Sequence, residues 1–396
     1  MKIKKLTIDN FRGIKHLELD FTDNNNLAQN LIIIAGVNGA GKTSILEALL
    51  LLLGRKNMLP ERSQREKFDI RAGSESYEIT ATIEFEGEDF NIVKGSGVTT
   101  PSEQLKAFYQ KIDNISIEYF PSWRIPKLVG SVSVTTGKKG KRPMDTMENR
   151  LWRLKQFFVD LTARKSFTKS GEEHRKTEEA SAEALAKLNR IWKLMYPQRN
   201  ESLAAEIAGE DIQEGFDLYL LGRTKERIPI DSLSSGELEL LTMLGRFIKD
   251  DFTNGIILLD EPELHLHPSW HRIVVTALQE FLPKSQIIVA THSPLVIGDI
   301  SEESLNLLQM KDSTIKALKP QYSYGLDANR VLEELMGTDE RVPIVKEELS
   351  EIFRLIGDGK LDEGRVKIKK MREKMPEEPE LTRAEAIISR KEILGK

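Results

Sequence analysis

The chain contains no cysteine, and this absence excludes several kinds of chemistry. Disulfides, thiolate metal sites and cysteine nucleophiles all require a sulfur atom that the chain does not supply. A cysteine-free composition agrees with a reducing compartment, so we expect a cytoplasmic protein. Histidine is also scarce, with six residues in 396, and four of the six lie between residues 265 and 292. This clustering directs attention to that segment.

Long apolar runs and an excess of one charge are missing as well. The longest apolar run, 48–53, is far shorter than the roughly 20 residues that cross a bilayer. No apolar stretch follows the charges of residues 1–6, so we expect no signal peptide. We expect no membrane partner, and if the protein acts at a membrane, another chain must supply the membrane part. With 58 Lys and Arg against 62 Asp and Glu, the overall charge argues neither for nor against a nucleic-acid partner.

The most informative pattern is a glycine-rich segment, 36–43, which matches the phosphate-binding loop G-x-x-x-x-G-K-[ST]. An apolar strand is predicted at 31–35, before the loop, and a helix at 44–50, after it. Backbone N–H groups and the helix N-terminus then meet the phosphates of a nucleotide. Lys42 is expected to contact the β- and γ-phosphates, and the hydroxyl of Thr43 to bind Mg²⁺. The predicted nucleotide-binding residues of this loop are Asn38, Gly39, Ala40, Gly41, Lys42, Thr43 and Ser44.

A second apolar strand, 256–260, ends in two adjacent acids that suit the other half of such a site. Asp260 is predicted to bind Mg²⁺ together with Thr43, and Glu261 to act as general base towards the attacking water. A further strand, 286–290, is followed by His292. The carboxyl end of a parallel strand faces the ligand crevice, so we predict that His292 contacts the γ-phosphate.

Two other polar clusters leave more than one interpretation open. His265, His267 and His271 suggest a metal site, but no carboxylate or thiolate set completes one, which favours a structural role. The segment 233–237 opens a helix with small hydroxyl and glycine residues. Such residues at a helix N-terminus can form an anion site, but taken alone the segment is an ordinary helix cap.

The spacing of strands, helices and breakers predicts an α/β fold with four parts. Apolar stripes within 148–196 indicate helices whose stripes pack in a core or, alternatively, line a ligand surface. A basic, glycine-broken loop at 137–143 precedes them. The predicted parts are an N-terminal lobe with the phosphate-binding loop (1–147), an inserted helical arm (148–210), a C-terminal lobe (211–324) and a small α-helical module (325–396).

In this order the motifs resemble those of the ABC-type ATPases, in the branch that contains SMC, RecF and OLD proteins. The resemblance covers about residues 1–318 and adds Phe11-Arg12-Gly13 and a signature motif at 233–237 to the three motifs above. It implies a P-loop ABC-type ATPase head, with ATP and Mg²⁺ as cofactors. It also implies a head-to-head homodimer with two ATP molecules at the interface, or a higher oligomer. Ser234 and Gly236 would then reach the ATP of the other subunit, and Arg12 would approach the nucleotide.

The chain departs from that pattern in several places. No clear Q-loop glutamine is present, and 119–124 stands where it is expected. A histidine-rich segment, 263–268, replaces the usual D-loop aspartate. The arm is too short for the coiled coils of SMC proteins, and no Toprim-like acidic motif of OLD nucleases follows residue 318.

The segment 322–337 and the charged helices after it resemble the PtuA family of ATPases from Septu and retron antiphage systems. Those ATPases work with a separate HNH nuclease, PtuB. The leading hypothesis is therefore an ATPase that regulates a partner nuclease. A RecF-like DNA-repair ATPase acting on DNA is the alternative, and the cytosolic ATPase of a membrane transporter is a second one. A neighbouring gene for an HNH nuclease would separate the first two.

Overall fold

The computed structural model places the chain in two compact units, 1–331 and 332–396. The predicted boundary of the C-terminal module, at residue 325, lies a few residues before this division. The basic loop at 137–143 and the end of the segment 119–124 lie outside the described residues. The structure describes residues 1–59, 66–96, 102–122, 128–132, 149–167, 171–207, 216–222, 226–249, 254–311, 314–337 and 343–394.

Strands and helices alternate through most of the larger unit, and helices alone form the smaller one. The strands are β1 (Lys2–Phe11), β2 (Ile14–Asp20), β3 (Leu31–Gly36), β4 (Glu78–Phe85), β5 (Glu88–Gly95), β6 (Ser116–Phe120), β7 (Ser202–Ile207), β8 (Phe216–Leu221), β9 (Arg227–Pro229), β10 (Gly255–Asp260), β11 (Gln286–Thr291), β12 (Leu305–Lys311) and β13 (Thr314–Leu318). The helices are α1 (Lys42–Leu52), α2 (Glu103–Lys111), α3 (Arg150–Phe167), α4 (Glu172–Met195), α5 (Ser235–Lys249), α6 (Pro268–Phe281), α7 (Pro294–Ile297), α8 (Ala328–Arg330), α9 (Pro343–Gly357), α10 (Leu361–Lys374) and α11 (Pro379–Leu394).

A six-stranded sheet in the order β13-β12-β3-β11-β10-β6 forms the centre of the larger unit. Its strands are parallel except β13, which pairs antiparallel with β12. β3, β10 and β11 are buried along their whole length, which explains their nearly continuous apolar sequences. Because β11 lies between β3 and β10, the segments that follow these three strands meet at one edge of the sheet.

A second, antiparallel sheet in the order β2-β1-β4-β5 shares its core with α1. The buried side chain of Gln286, at the start of β11, joins this sheet to the central one. Its amide accepts a hydrogen bond from the Ile3 backbone N–H at 2.7 Å and donates to the carbonyls of Ile3 and Gln29 at 2.8 and 3.0 Å. The amide thus provides hydrogen-bond partners for backbone groups of Ile3 on β1 and of Gln29, shortly before β3.

In the predicted arm, 148–210, α3 and α4 pack against each other and against α5. The region also contributes β7, which pairs with β8 in a three-stranded sheet of order β7-β8-β9. The predicted limit at residue 210 therefore falls between two paired strands. Leu154, Leu188, Ile191 and Trp192 of the apolar stripes are buried, as core packing requires.

The smaller unit contains three helices, α9 to α11, around an apolar core of its own. Its sequence is highly charged, and the apolar side chains recur at helical spacing on the inner faces. These buried residues are Leu349, Ile352, Ile356, Ile368, Met371, Leu381, Ala384 and Ile388.

A fully buried lysine connects α3 to the sheet of β8. The Lys155 ammonium lies 2.7 Å from Oδ1 of Asp217, donates to the Gly130 carbonyl at 2.9 Å and forms an ion pair with Asp231. Burial raises the pKa of Asp217, and the charge of Lys155 opposes that shift. Asp231 lies two residues before the predicted signature motif, so this ion cluster fixes the approach to that motif.

Replacing Lys155 with methionine is expected to destabilise the larger unit by about 3–5 kcal/mol, since it leaves the buried carboxylate of Asp217 and the half-buried one of Asp231 without their cation. Urea unfolding followed by tryptophan fluorescence reports on this unit, because all four tryptophans precede residue 332. Lys187→Met removes an exposed lysine, paired with Glu183, from the adjacent helix and is the matched control. Equal unfolding midpoints for the two variants would contradict the role of the cluster.

Candidate functional site

The glycine-rich loop connects the end of β3 to the start of α1. Gly39 and Gly41 have φ angles of +82° and +87°, which residues with a Cβ atom rarely adopt. At Gly36 a Cβ atom would lie 2.9 Å from the backbone oxygen of Leu308 on β12. The glycine positions thus follow from backbone conformation and close packing, and α1 begins directly at Lys42.

The side chain of Lys42 folds back over this loop. Its Nζ donates to the carbonyls of Gly36 and Val37 at 2.9 and 3.1 Å, and the residue is only 5% exposed. Burial lowers the pKa of Lys42, while the negative charges of Glu261, Asp260 and Glu263 oppose the shift. A buried cation facing three carboxylates is suited to hold the phosphates of a nucleotide.

Thr43 and Asp260, predicted to share one Mg²⁺ ion, are in direct contact. The Thr43 hydroxyl donates to Oδ2 of Asp260 at 2.8 Å, and Asp260 is 1% exposed. They belong to α1 and β10, so the contact depends on the order of strands in the central sheet. A hydroxyl and a carboxylate oxygen are the kinds of ligand that Mg²⁺ accepts beside nucleotide phosphates. The residues present therefore fit the ion.

Glu261 and His292, predicted to be catalytic, also lie together. Nδ1 of His292 is 3.0 Å from Oε1 of Glu261. The backbone N–H of Glu261 donates to the carbonyl of Ala290 at 2.8 Å, and its φ angle of +49° turns the chain away from the direction of β10. A hydrogen bond between a carboxylate and an imidazole can move or hold a proton.

Several residues that surround this pair were not singled out in the sequence. The hydroxyl of Thr291 donates to Oε1 of Glu263 at 2.5 Å. On the other side of His292, the Ser293 hydroxyl lies 3.0 Å from Nδ1 of His271. The third acid in the run 260–263 was a signal in the sequence that could have identified Glu263.

The remaining histidines of the cluster act on the local backbone. His267 is the N-cap of α6, where its Nδ1 accepts from the Ser269 N–H at 3.3 Å. Nε2 of His271 lies 3.2 Å from the carbonyl of Leu266. Across the described ranges, the cluster does not converge with carboxylates into a group that could hold a metal ion.

Arg12 lies in the turn between β1 and β2 and contacts two buried carboxylates. Its guanidinium donates through Nε and Nη2 to Oδ1 of Asp69, at 3.0 and 2.9 Å, and forms an ion pair with Glu47 of α1. Burial raises the pKa of Asp69, and Arg12 opposes the shift. Here Arg12 contacts carboxylates, and its approach to the nucleotide stays a prediction. Neither acid was identified from the sequence, because no local pattern marks them.

The predicted signature motif forms a capping box at the start of α5. The backbone N–H and the hydroxyl of Ser234 both donate to Oε2 of Glu237 at 2.7 Å. Tyr196, at the end of α4, donates to the other carboxylate oxygen. Burial acts to raise the pKa of Glu237, but these hydrogen bonds outweigh it and lower that pKa. A Cβ atom at Gly236 would lie 2.6 Å from the His265 carbonyl, so only glycine fits there.

Two family models match the chain. One, described as an AAA ATPase domain, matches residues 1–127, and the other, described as an AAA domain of a putative AbiEii toxin from a type IV toxin–antitoxin system, matches residues 162–298. Together with the parallel sheet and the glycine-rich loop, these matches confirm a nucleotide-binding P-loop ATPase fold.

Comparison with individual proteins gives more specific relatives within the P-loop ATPases. The chain is 25% identical over 393 residues to the Septu protein PtuA of Bacillus thuringiensis, an alignment that spans 90% of this chain and 89% of that protein. This similarity extends over most of both chains and relates the chain to PtuA. It is also 31% identical over 147 residues to the retron Vc95 probable ATPase of Vibrio cholerae, with 37% of this chain and 28% of that protein aligned.

Solved structures of SMC heads are similar to the chain at lower sequence identity. The SMC head bound to the C-terminal winged-helix domain of ScpA aligns with a TM-score of 0.49 and 17% identity, over 80% of this chain and 97% of that one. Within the described residues, no helix has the length and apolar character that a membrane crossing requires.

Replacing Lys42 with alanine is expected to weaken ATP binding by about 1.5–3 kcal/mol, the scale of one charged hydrogen bond. Isothermal titration calorimetry measures the change. Lys284→Ala, an exposed lysine just before β11 at the opposite edge of the central sheet, is the matched control. Unchanged affinity in the Lys42 variant would exclude the glycine-rich loop as the nucleotide site.

Proposed function

We propose that this ATPase binds ATP with Mg²⁺ and hydrolyses it to ADP and phosphate. One observation carries the proposal: the Thr43–Asp260 contact and the Glu261–His292 contact lie at the ends of adjacent strands, beside Lys42. Phosphoryl transfer to water needs this combination of a phosphate-binding cation, oxygen ligands for a metal and a base for the water.

Each side chain has a defined task in this proposal. Lys42 binds the phosphates, and Thr43 and Asp260 would hold a Mg²⁺ ion, whose charge offsets that of the phosphates. Glu261 accepts the proton of the attacking water as general base. His292 holds Glu261 through Nδ1, and its half-exposed ring presents Nε2 to the γ-phosphate.

A head-to-head homodimer would complete the site. In the proposed dimer, Ser234 and Gly236 of one subunit cap the ATP bound to the other. The capping box that fixes the first turn of α5 supports this role, because it leaves the N-terminus of a 15-residue helix rigid. Backbone N–H groups at such a terminus favour an anion such as the γ-phosphate.

Similarity to PtuA over most of both chains supports a role in antiphage defence, with a separate HNH nuclease as partner. We propose the smaller unit, 332–396, as the docking module for that nuclease. Its apolar core is internal, and its outer faces are charged and exposed. ATP-driven closure of the dimer would then change how the two docking modules are presented.

Replacing Glu261 with glutamine is expected to slow phosphate release by roughly 10²- to 10⁴-fold while ATP stays bound, because the amide cannot take the proton. The ATP-bound dimer should accumulate, which light scattering after size-exclusion chromatography detects. Glu347→Gln, the same change at an exposed position of α9, is the control. Normal turnover in the Glu261 variant would show that another group is the base.

Deleting residues 332–396 is expected to abolish co-purification with a co-expressed candidate HNH nuclease, because the proposed docking faces are removed. The control is ATP binding by the truncated chain, which the larger unit should retain. A complex that survives the deletion would contradict the docking role. DNA cleavage by the purified full chain alone would contradict the division of labour between ATPase and nuclease.

A further inference from the structure

Glu263 is a buried acid beside the proposed catalytic pair, and its contacts point away from a purely structural role. The side chain is 4% exposed and lies two residues beyond Glu261. Oε1 accepts the hydroxyl proton of Thr291 at 2.5 Å. Oε2 is buried and accepts no hydrogen bond from the described residues. One hydrogen bond offsets little of the desolvation of a buried carboxylate. The charge of Glu263 acts on Lys42, and Nδ1 of His292 lies 3.9 Å from Oε1, so its surroundings are those of the proposed site.

Thr291 connects Glu263 by hydrogen bonds to the backbone on either side of His292. Its hydroxyl oxygen donates to Glu263 and accepts from the N–H of Ser293 at 2.9 Å. The single hydroxyl therefore connects Glu263 to the residues before and after His292. A side chain between two restrained neighbours has few orientations open to it.

The orientation that results places the imidazole between two carboxylates. Nδ1 of His292 is 3.0 Å from Oε1 of Glu261 and 3.9 Å from Oε1 of Glu263. The nearer carboxylate makes the hydrogen bond, and the farther one acts through Thr291. Glu263 and Glu261 thus approach His292 from the same segment after β10, and their separation is set by the backbone of residues 261–263.

We propose that Glu263 is a positioning residue, which holds His292 against Glu261 through the hydroxyl of Thr291. Glu263 contacts neither the nucleotide nor the water in this arrangement. It restricts His292 to the orientation in which Nδ1 binds Glu261 and Nε2 is directed to the γ-phosphate. The inference rests on the proposed hydrolysis and assigns a task to two residues that the proposal leaves out.

Paired substitutions distinguish the effect of losing the hydrogen bond from the effect of changing the shape of the two side chains. Thr291→Val keeps the shape and loses the hydroxyl, whereas Thr291→Ser keeps the hydroxyl. Glu263→Met keeps the length and loses the acceptor, whereas Glu263→Gln keeps an acceptor oxygen. Thr276→Val makes the same change as Thr291→Val on the exposed face of α6, where the hydroxyl donates to the Arg272 carbonyl of the same helix, and is the control.

We expect kcat to fall in the variants that lose the hydrogen bond between Thr291 and Glu263 and to be retained in those that keep it. Thr291→Val and Glu263→Met should lower kcat for ATP by about 10- to 100-fold, the factor that corresponds to one hydrogen bond to a charged group. Thr291→Ser and Glu263→Gln should stay within about threefold of the unmodified chain, on the same scale. The KM for ATP should change by less than about twofold in all four, because Glu263 does not bind the nucleotide.

A His292→Ala background tests whether the effect passes through His292. There, Thr291→Val and Glu263→Met should cause no further loss of kcat, since no imidazole is left to position. Losses that multiply in this background would overturn the proposal. So would equal activity of Thr291→Val and Thr291→Ser, or an effect confined to KM.

The same measurements distinguish this inference from the proposed function. An unmodified chain that binds ATP and releases no phosphate would overturn the proposed hydrolysis and the role of Glu263 with it. An active chain in which hydroxyl-retaining and hydroxyl-lacking variants behave alike would overturn the role of Glu263 alone. Thermal unfolding of each variant checks that the compared proteins are folded.

Discussion

The site depends on the parallel pairing of three buried strands, β3, β11 and β10. Parallel strands end at the same edge of a sheet, so the segments after them converge although they are far apart in the chain. One such segment carries Lys42 and Thr43, another carries His292, and the third carries Asp260 and Glu261. A different strand order would leave every motif intact in sequence and separate the side chains that now touch.

Charge is the second constraint on this edge of the sheet. The charges of Asp260, Glu261 and Glu263 act on the buried lysine Lys42. Arg12 forms ion pairs with Glu47, which belongs to α1, and with Asp69. Buried carboxylates in such numbers are costly unless cations are close. A site with more acids than bases is tolerable where a divalent cation binds, which is the chemistry proposed for Thr43 and Asp260.

Local patterns were sufficient to predict the three central strands and the motifs that follow them. The strands predicted at 31–35, 256–260 and 286–290 differ from β3, β10 and β11 by one residue at an end. Continuous apolar runs followed by glycine or acid leave little alternative for a parallel strand. The fold class followed from the order of the motifs, and the relation to PtuA followed from the segment 322–337 and the charged helices after it. The comparisons confirmed both.

Contacts between distant residues were not predictable in the same way. Lys155 meets Asp217 and Asp231, and Tyr196 meets Glu237, across intervals that carry no periodic signal. Such pairs are decided by how helices and sheets pack, which a single sequence does not encode locally. The strand β7 was missed for a related reason, since it is short, half-exposed and stabilised by pairing with β8.

The neighbours of β3 impose an order of events on biosynthesis. β3 pairs with β11 and β12, and both lie about 250 residues or more further along the chain. At the usual pace of translation the emerging segment therefore waits roughly 12 to 50 seconds for its partners. During that interval a fully apolar strand leaves the ribosome with both edges open, a state that favours aggregation. The arrangement that assembles the phosphate-binding edge thus makes the nascent protein dependent on chaperones or on rapid collapse against α1.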